Sequence, residues 1–395
     1  MPGRLSRRVV VTGYGVISPC GLGKDAFWEG LLGPNLTGGS QARISWDPLP
    51  FFENAKEARR ADSNQQFALA AATEAFAMAG DVDVDPARFG VLFGTGVGGL
   101  QSMEEQVEIR LTKGERRVSP FTVPMMMPNA AGAAISMRYG LRGPCQTVTT
   151  ACAASTHAIG DAYRLIAYGR CDAVVTGGTE AAGSPTAVAG FVNMTAMSSS
   201  GASMPFSAAR DGFVLGEGSG VLILESLDNA QARGATIYAE VLGGASNADA
   251  YHITAPAPGG VGAIACMELA LEEAGLQTSD IRQINAHGTS TPLNDAAEAA
   301  AIAKLFGSPG PPVTSTKGVH GHALGAAGAL EAVAIILSFE KRLIPPTAGT
   351  SVLDPTMSID LVIGAARPWE PGPSMSNSLG FGGHNGTIIL GPPPA

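Results

Sequence analysis

The chain has 395 residues, of which 45% are hydrophobic and only 15% are charged, so it can bury a large core and lacks the composition of a disordered protein. Its formal net charge of −9 argues against bulk binding of nucleic acid. Five cysteines, an odd number in so long a chain, argue against a disulfide framework and suit a reducing compartment.

The N-terminal residues carry no predicted targeting signal. The basic stretch 1–8 leads into only three valines, and this apolar run is too short for the core of a signal peptide. No segment approaches the roughly 20 apolar residues that span a bilayer. We therefore expect a cytoplasmic protein that does not enter a membrane.

Short β-branched runs alternate with helical segments of small residues, which predicts α/β architecture with mixed sheets. The predicted strands are residues 8–13, 90–94, 146–151, 171–178, 221–225, 237–243, 281–286, 313–316 and 387–390. The predicted helices are residues 62–80, 152–169, 260–275 and 321–340. Segments 33–60 and 100–128 are less regular, and we expect surface or dimer-contact loops there.

Cys152 is the strongest candidate nucleophile in this sequence. A buried cysteine is usually a packing residue, but this one lies in the segment 149–155 (TTACAAS), at a predicted junction of strand and helix. The free N–H groups at a helix N-terminus lower the pKa of a thiol, and small neighbours leave room for a substrate. We interpret the other four cysteines as packing residues.

Two histidines lie where α/β sheets carry their functional sites. His287 follows the predicted strand 281–286, and such sites lie at the carboxyl ends of strands. His322 begins a helix of Gly and Ala and forms an H-x-H pair with His320. Such a pair can bind zinc, but no Asp, Glu or Cys stands nearby at ligand spacing, so we predict no metal site.

Two glycine-rich segments need separate interpretations. Residues 94–99 (GTGVGG) fit a dinucleotide-binding pattern after a strand, but the acid that would bind the ribose is not clearly placed, so we favour an ordinary loop. Residues 378–386 (SLGFGGHNG) come before the last predicted strand. We interpret them as a flexible gate whose N–H groups approach a developing oxyanion.

Taken together and in this order, the motifs resemble those of the β-ketoacyl-[acyl carrier protein] synthase II family, within the thiolase superfamily, over essentially the whole chain. The motifs are residues 150–152 (TAC), 210–218 (RDGFVLGEG), 249–252 (DAYH), 287–292 (HGTSTP), 317–328 (KGVHGHALGAAG) and 380–383 (GFGG). The resemblance implies a five-layered αβαβα fold and a dimer. It also implies two thiolase-like halves: residues 1–240 with the nucleophile, and residues 241–395 with two catalytic histidines.

The resemblance implies a role for each matching side chain. Cys152 would be the nucleophile, and its backbone N–H and that of Phe381 would form the oxyanion hole. His287 and His322 would assist decarboxylation of a malonyl group and stabilise the enolate. Phe381 would also gate the pocket. Lys317 and Glu331, spaced to form a buried charge pair, would support His322, with Asp295 and Glu298 in the surrounding polar network.

The same resemblance assigns residues to the substrate and to its carrier. Thr289 and Thr291 would bind the pantetheine arm. The other residues predicted to contact substrate are Thr254, Phe191, Val97, Thr122 and Leu379. The basic residues predicted to dock an acidic carrier protein are Arg59, Arg60, Arg116 and Arg117. No cofactor is expected, since phosphopantetheine arrives on the carrier protein.

Several positions depart from the family's usual residues. Leu379 replaces a second Phe, Val97 replaces Ile, and Thr122 replaces an aromatic residue. These changes are toward smaller side chains, and from them we hypothesise a wide acyl tunnel for long, stiff or unsaturated chains. Thr195 stands at a usual Arg position of the carrier site, and His384 stands at a common Thr position.

The predicted activity is decarboxylative condensation of malonyl-carrier protein with an acyl group on Cys152, which extends the chain by two carbons in fatty-acid biosynthesis. A thiolase would need a second cysteine near the C-terminal glycine loop, a starter synthase would have Asn at position 322, and a chain-length factor would lack Cys152. The alternative that stays open is the ketosynthase subunit of a discrete type II polyketide synthase, paired with a chain-length factor instead of a second copy of itself.

Overall fold

The computed structural model describes residues 7–394, so most of the basic N-terminal stretch lies outside the described residues. The strands are β1 (Val9–Ser18), β2 (Gly21–Leu22), β3 (Phe89–Gly94), β4 (Cys145–Val148), β5 (Ala173–Glu180), β6 (Gly218–Ser226), β7 (Ala239–Ala248), β8 (Gln283–Asn285), β9 (Pro312–Thr314), β10 (Leu343–Ile344), β11 (Asp360–Leu361), β12 (Arg367–Pro368), β13 (Ser374–Gly380) and β14 (His384–Gly391). The helices are α1 (Lys24–Leu31), α2 (Ala55–Ala58), α3 (Ser63–Ala79), α4 (Leu100–Lys113), α5 (Thr122–Met126), α6 (Ala130–Tyr139), α7 (Ala154–Ala167), α8 (Pro185–Asn193), α9 (Leu227–Ala232), α10 (Val261–Ala274), α11 (Pro292–Phe306), α12 (Lys317–His320) and α13 (Ala327–Lys341).

Two sets of strands follow the same order and the same pattern of directions. The first set runs β1-β6-β5-β3-β4, and the second runs β7-β14-β13-β8-β9, with β11 at its edge. In both sets the first two pairings are antiparallel and the next two are parallel. β1 and β7 pair antiparallel through Val9–Val11, which joins the two sets into one 12-stranded mixed sheet. The predicted mixed pairing is therefore confirmed.

The helices form three layers around the two sets of strands. α3 packs on one face of the first set, against β1, β6 and β5, while α10 packs on the outer face of the second set, against β7 and β14. α7 and α13 contact each other and strands of both sets, so they form the middle layer. The result is a sequence of helix, strand, helix, strand and helix layers, as predicted.

The middle layer is buried on all sides, and its composition explains why. Residues 327–339 of α13 are all buried, and they are Ala, Gly, Leu, Val, Ile and Phe apart from one Glu and one Ser. A helix that is apolar all round belongs inside a protein. Small residues also allow close approach: a Cβ on Gly328 would lie 2.0 Å from the hydroxyl of Thr156 on α7.

Several predicted element boundaries are wrong, for local reasons. The helices predicted to begin at Cys152 and at residue 321 begin at residues 154 and 327. Each is preceded by a short 3-10 turn, Ala151–Ala153 or Leu324–Ala326, whose first residue has a positive φ. The segment 100–128 contains α4 and α5 instead of irregular loops. Among the described residues, no helix is both long and apolar enough to cross a membrane.

Candidate active site

One cavity of about 340 Å³ collects most of the predicted catalytic and substrate-binding residues. The nucleophile turn after β4, the loop after β8 and the loop after β13 all reach it, so it lies where strands of both sets end. Its lining includes Cys152, His287, His322, Phe381, Thr289, Thr291, Thr254 and Leu379. Together these residues place a thiol, two imidazoles and a glycine-rich loop around one space.

The backbone around Cys152 aims its thiol at this space. Ala151 has a φ of 50°, a left-handed conformation that costs energy for a residue other than glycine. The Cys152 side chain is buried, and the nearby backbone N–H groups of Phe381 and of Cys152 itself lower the pKa of its thiol. The loop after β13 approaches closely, since a Cβ on Gly380 would lie 3.2 Å from the Cys152 nitrogen. Two N–H donors therefore converge beside the nucleophile.

Burial outweighs the helix effect expected for the thiol. Desolvation raises the pKa of Cys152 to about 12, although the charge of Lys317 and the N–H donors lower it. A free thiolate is therefore scarce near neutral pH, so reaction needs a base that takes the proton at the moment of attack.

His322 is in position to be that base. Its Nε2 lies 3.0 Å from the Cys152 sulfur. Its backbone is held on both sides: its N–H donates to the Val214 carbonyl at 2.8 Å, and its carbonyl accepts from the Gly216 N–H at 3.0 Å. Burial, followed by the charges of Lys317 and His320, holds the pKa of His322 well below its ordinary value, so the ring is neutral and can accept a proton.

His287 packs edge to face against His322, with ring centroids 5.1 Å apart. The Lys317 ammonium donates to the His287 carbonyl at 2.6 Å and lies 3.4 Å from its Nδ1. Since an ammonium only donates, Nδ1 is the acceptor and the neutral ring carries its proton on Nε2. Burial and the Lys317 charge hold the pKa of His287 well below its ordinary value. The ring can therefore donate one N–H bond to a substrate oxygen.

Buried acids support the two histidines and Lys317 through hydrogen bonds and an ion pair. Glu298 accepts the backbone N–H groups of His287 and Gly288, both at 2.8 Å. Glu331 pairs with Lys317, and both side chains are fully buried. We expected Lys317 and Glu331 to support His322, but Lys317 bonds to His287 instead and reaches His322 only through its charge. Asp295 accepts the Phe206 N–H at 2.8 Å, away from the imidazoles.

The residues expected to bind substrate lie in three places: in the cavity lining, directly behind it and away from it. Thr289 and Thr291 line the cavity with their hydroxyls 2.9 Å apart, and Thr254 and Leu379 line it as well. Phe191 does not line the cavity itself but packs edge-on against Phe213, which does. Two others are elsewhere: Val97 is on a half-exposed loop after β3, and Thr122 begins α5. Neither lines the cavity within residues 7–394.

The four arginines expected to dock a carrier protein are exposed. The guanidinium carbon of Arg60 lies 4.2 Å from the centre of the Phe121 ring. Since Phe121 closely follows Arg116 and Arg117 in the chain, this contact brings the two pairs of arginines near each other. Thr195 is exposed and is one of the residues that line the cavity.

The H-x-H pair does not form a metal site. His320 is fully buried, and its two ring nitrogens contact the Gly321 carbonyl at 2.8 Å and the Thr316 hydroxyl at 2.9 Å, away from His322. The ligand atoms of Cys152, His287 and His322 do lie within 4.8 Å of one another, a spacing that also suits a soft metal.

Sequence reasoning missed two polar residues that shape the site. His157 on α7 joins the Thr150 hydroxyl to the Asn385 carbonyl, each at 2.9 Å, so it links the nucleophile turn to β14. Glu180 ends β5 and is fully buried beside the turn that follows His322. Both lie outside the motifs, and only their polar character in apolar surroundings marks them.

Comparison with known proteins agrees with this geometry. Residues 34–230 match the family described as beta-ketoacyl synthase, N-terminal domain, and residues 238–351 match beta-ketoacyl synthase, C-terminal domain. The chain belongs to the β-ketoacyl synthase family. It is therefore a condensing enzyme of the acyltransferase class, and the family resemblance noted in the sequence is confirmed.

Relatives match this β-ketoacyl synthase over almost their full length. The chain is 42% identical to 3-oxoacyl-[acyl-carrier-protein] synthase 2 of Staphylococcus aureus over 407 residues, covering 98% of each. It is 44% identical to 3-oxoacyl-[acyl-carrier-protein] synthase 2 of Synechocystis sp. over 406 residues, covering 97% of this chain and 98% of the relative.

Solved structures confirm the thiolase-like fold of this synthase. The ishigamide ketosynthase/chain length factor superposes with a TM-score of 0.92 at 32% identity, covering 98% of this chain and 100% of the other. A type II polyketide synthase acyl-carrier protein in complex with its ketosynthase gives a TM-score of 0.89 at 34% identity, with 98% and 100% covered.

Proposed function

We propose that this enzyme transfers an acyl group from a carrier protein to Cys152 and condenses it with malonyl-carrier protein in fatty-acid biosynthesis. The observation that carries the proposal is the 3.0 Å contact between His322 Nε2 and the Cys152 sulfur, beside two converging backbone N–H groups. A cysteine, a neutral base and an oxyanion hole are the parts that thioester exchange requires.

The first half-reaction acylates the enzyme. His322 takes the thiol proton as the Cys152 sulfur attacks the thioester carbonyl, and the N–H groups of Cys152 and Phe381 stabilise the oxyanion. The bond to the carrier sulfur then breaks, and the proton passes to that sulfur. The products are an acyl-Cys152 thioester and a free carrier thiol.

The second half-reaction forms the carbon–carbon bond. Malonyl-carrier protein loses carbon dioxide, and neutral His287 donates its Nε2–H to the thioester oxygen of the resulting enolate. His322 donates a second bond to that oxygen from the tautomer that carries its proton on Nε2, the nitrogen that faces Cys152. The enolate carbon attacks the acyl-Cys152 carbonyl, and the cysteine sulfur leaves as a thiolate and takes up one proton from solvent, which the overall reaction consumes. The product is a 3-oxoacyl thioester two carbons longer, and no cofactor of the enzyme takes part, since phosphopantetheine is carried by the partner.

The partner and substrate sites follow from position and charge. The exposed residues Arg59, Arg60, Arg116 and Arg117 suit an acidic carrier protein, and local charge steers such an encounter even when the whole chain is acidic. Thr289 and Thr291 hold the pantetheine arm, with Thr254 beside them. Phe191 and Leu379 border the acyl group, and Val97 and Thr122 join them where a second subunit completes the wall.

The dimer forms through the exposed edge of β4. This strand pairs only with β3 among the described strands, and Cys145 and Gln146 are exposed on it. An unpaired edge is a template for a strand of another chain. The partner is a second copy or a chain-length factor, and the second pairing occurs in solved ketosynthase/chain length factor structures that are similar to this chain.

We assign residues 1–240 and 241–395 to two pseudo-equivalent halves, supported by the repeated strand order. The enzyme works in the cytoplasm: all five cysteines are free thiols, as a reducing compartment requires.

The proposal is tested by incubating the purified protein with malonyl-carrier protein and a panel of saturated and polyunsaturated acyl-carrier proteins, read by intact-protein mass spectrometry. We expect a 3-oxo product two carbons longer, absent in Cys152→Ala and unaffected by a chelator. Preference for saturated chains supports fatty-acid work, and preference for polyunsaturated or polyketone chains supports the type II polyketide alternative. A wild-type enzyme whose Cys152 never acylates would contradict the proposal.

A further inference from the structure

Glu180 is a buried acid with no assigned part in the chemistry. It is the last residue of β5 and has no exposed surface. Its Oε2 accepts the Gly96 N–H at 2.7 Å and the Gly325 N–H at 3.0 Å, while Oε1 accepts the Thr95 hydroxyl at 3.2 Å. Among residues 7–394, no Lys or Arg forms an ion pair with it. A buried carboxylate without a cation is costly, so its retention calls for a function.

The two glycines belong to segments that are far apart in sequence. Gly96 is in the loop after β3, and Gly325 is in the 3-10 turn Leu324–Ala326, which begins two residues after His322. The two backbones touch, since a Cβ on Gly325 would lie 2.1 Å from the Gly96 nitrogen. The carboxylate of Glu180 therefore fastens both segments at their point of closest approach.

The fastened turn determines where His322 sits. The backbone of His322 is bonded to Val214 and Gly216 on one side, and on the other side the chain runs directly into Leu324, which lines the cavity with a φ of 43°. A left-handed leucine is strained and needs support from its surroundings. The bond from Gly325 to Glu180 supplies that support within one residue of Leu324.

We infer that Glu180 is a positioning residue for this enzyme: its carboxylate joins the Thr95–Gly96 loop to the Leu324–Ala326 turn and so holds His322 within hydrogen-bond distance of Cys152. The inference rests on the proposed function, because it concerns transfer of the acyl group to that thiol. It also gives the carboxylate an electrostatic effect on the nucleophile.

The electrostatic effect provides a readout that a purely structural role would not change. Burial raises the pKa of Glu180 to about 7, and its charge opposes formation of the Cys152 thiolate. Its strand partner Gly218 follows Glu217, another buried acid, which pairs with Arg43. The charge of Lys317 has the opposite effect and favours the thiolate.

The test measures alkylation of Cys152 by iodoacetamide against pH, and separately the single-turnover acylation of Cys152 by an acyl-carrier protein. Glu180→Gln keeps an oxygen for the two glycine N–H groups but removes the charge, so we expect the alkylation profile to move to lower pH. Glu180→Ala loses all three bonds, and we expect acylation to fall by about 10²-fold, the size of effect that a displacement of about 1 Å can cause.

Glu225→Gln is the matched control, since Glu225 is also a fully buried acid on the neighbouring strand β6 but is paired with Arg233. It should change neither profile nor rate. Wild-type acylation in a folded Glu180→Ala, or an unmoved alkylation profile in Glu180→Gln, would overturn the inference. If alkylation behaves as expected but no acyl-carrier protein acylates the wild-type enzyme, the proposed function fails. The effect of Glu180 on ionisation of the Cys152 thiol would still stand.

Discussion

Lys317 places a positive charge beside two neutral histidines, and Glu331 compensates it inside the protein. Both members of the pair are fully buried, and burial raises the pKa of Glu331 to about 7 despite the neighbouring ammonium. Replacing both charges with apolar groups often costs little stability. Removing only one leaves the other charge buried without a partner, which is strongly destabilising. The pair is therefore explained by what Lys317 does to His287, which it bonds, rather than by a contribution to folding.

Lys317→Met is expected to lower the free energy of unfolding by about 3–5 kcal/mol, because Glu331 is left buried without a partner. The double variant Lys317→Met/Glu331→Leu should regain most of that loss in urea unfolding while staying inactive. The exposed pair Arg342–Glu370 offers a control, since Arg342→Ala should cost less than about 1 kcal/mol. Equal losses in the single and double variants would contradict this account.

The buried ring of His320 should make the free energy of unfolding fall as the pH falls. Burial lowers the pKa of His320 to about 3, whereas the unfolded chain titrates near the reference value of 6.5. Between these values the unfolded state binds the extra proton, so the stability that depends on neutral His320 is lost as pH falls. Relative to wild type, His320→Gln should reduce the slope of unfolding free energy against pH by about 1.4 kcal/mol per unit. If the free energy of unfolding, measured in urea, changed with pH at the same slope in both proteins between pH 3 and 6.5, this prediction would be wrong.

The motif residues and the acids Glu298 and Glu331 could be predicted from the sequence, whereas the supporting residues Glu180 and His157 could not. Cys152, His287 and His322 stand in distinctive local sequences, and the structure brings them to one cavity. Glu180 and His157 make their contacts with residues distant in the chain, so no local pattern marks them. The pKa of Cys152 also escaped prediction, because burial depends on the whole fold and here exceeds the local helix effect.

At the level of elements, the hairpin of β13 and β14 carries one side of the proposed oxyanion hole. Its turn brings Phe381 to the nucleophile, and Gly380 is what permits the approach: an added Cβ would lie 3.0 Å from the Thr150 carbonyl and 3.2 Å from the Cys152 nitrogen. Backbone atoms on both sides leave little room to adjust.

Gly380→Ala is expected to slow acylation of Cys152 by about 10²-fold, the cost of losing one oxyanion donor. Gly190→Ala is the control, because a Cβ there meets nothing within 4 Å and the position is inside α8. That variant should keep the wild-type rate and gain about 0.5–1 kcal/mol of stability. Single-turnover mass spectrometry measures the acylation rates, and thermal melts measure the stabilities. A wild-type acylation rate in Gly380→Ala would show that the loop does not supply an oxyanion donor.

The success of element prediction followed the strength of the local pattern. The strands with continuous apolar runs, such as β6, were found because burial on both faces leaves no ambiguity. β13 and α11 were missed: β13 is rich in Ser and Asn that are buried only through long-range contacts, and α11 is rich in Ala without a clear polar face. α4 was read as a loop because it is a largely polar surface helix.

For the molecule as a whole, the exposed edge of β4 predicts the mode of assembly. Gln146→Lys on this strand should weaken the dimer, since a charge on an edge strand opposes pairing with another edge. Gln231→Lys, on the exposed face of α9, should leave it intact. Sedimentation velocity measures both. A Gln146→Lys protein that stays dimeric places the interface elsewhere, and a wild-type protein that is monomeric until a chain-length factor is added supports the heterodimer.

The place of β14 in the sheet has a consequence for how the enzyme is made. β14 is synthesised after every other strand of the sheet, yet it lies near the middle, between β13 and β7. While a ribosome is still producing residues 384–391, β7 and β13 have open edges and the Phe381 loop has no hairpin to hold it. Such edges are prone to aggregate. The nascent chain thus carries the residues of the nucleophile turn before the sheet around them can close, and the rate at which residues 384–391 follow becomes a determinant of yield.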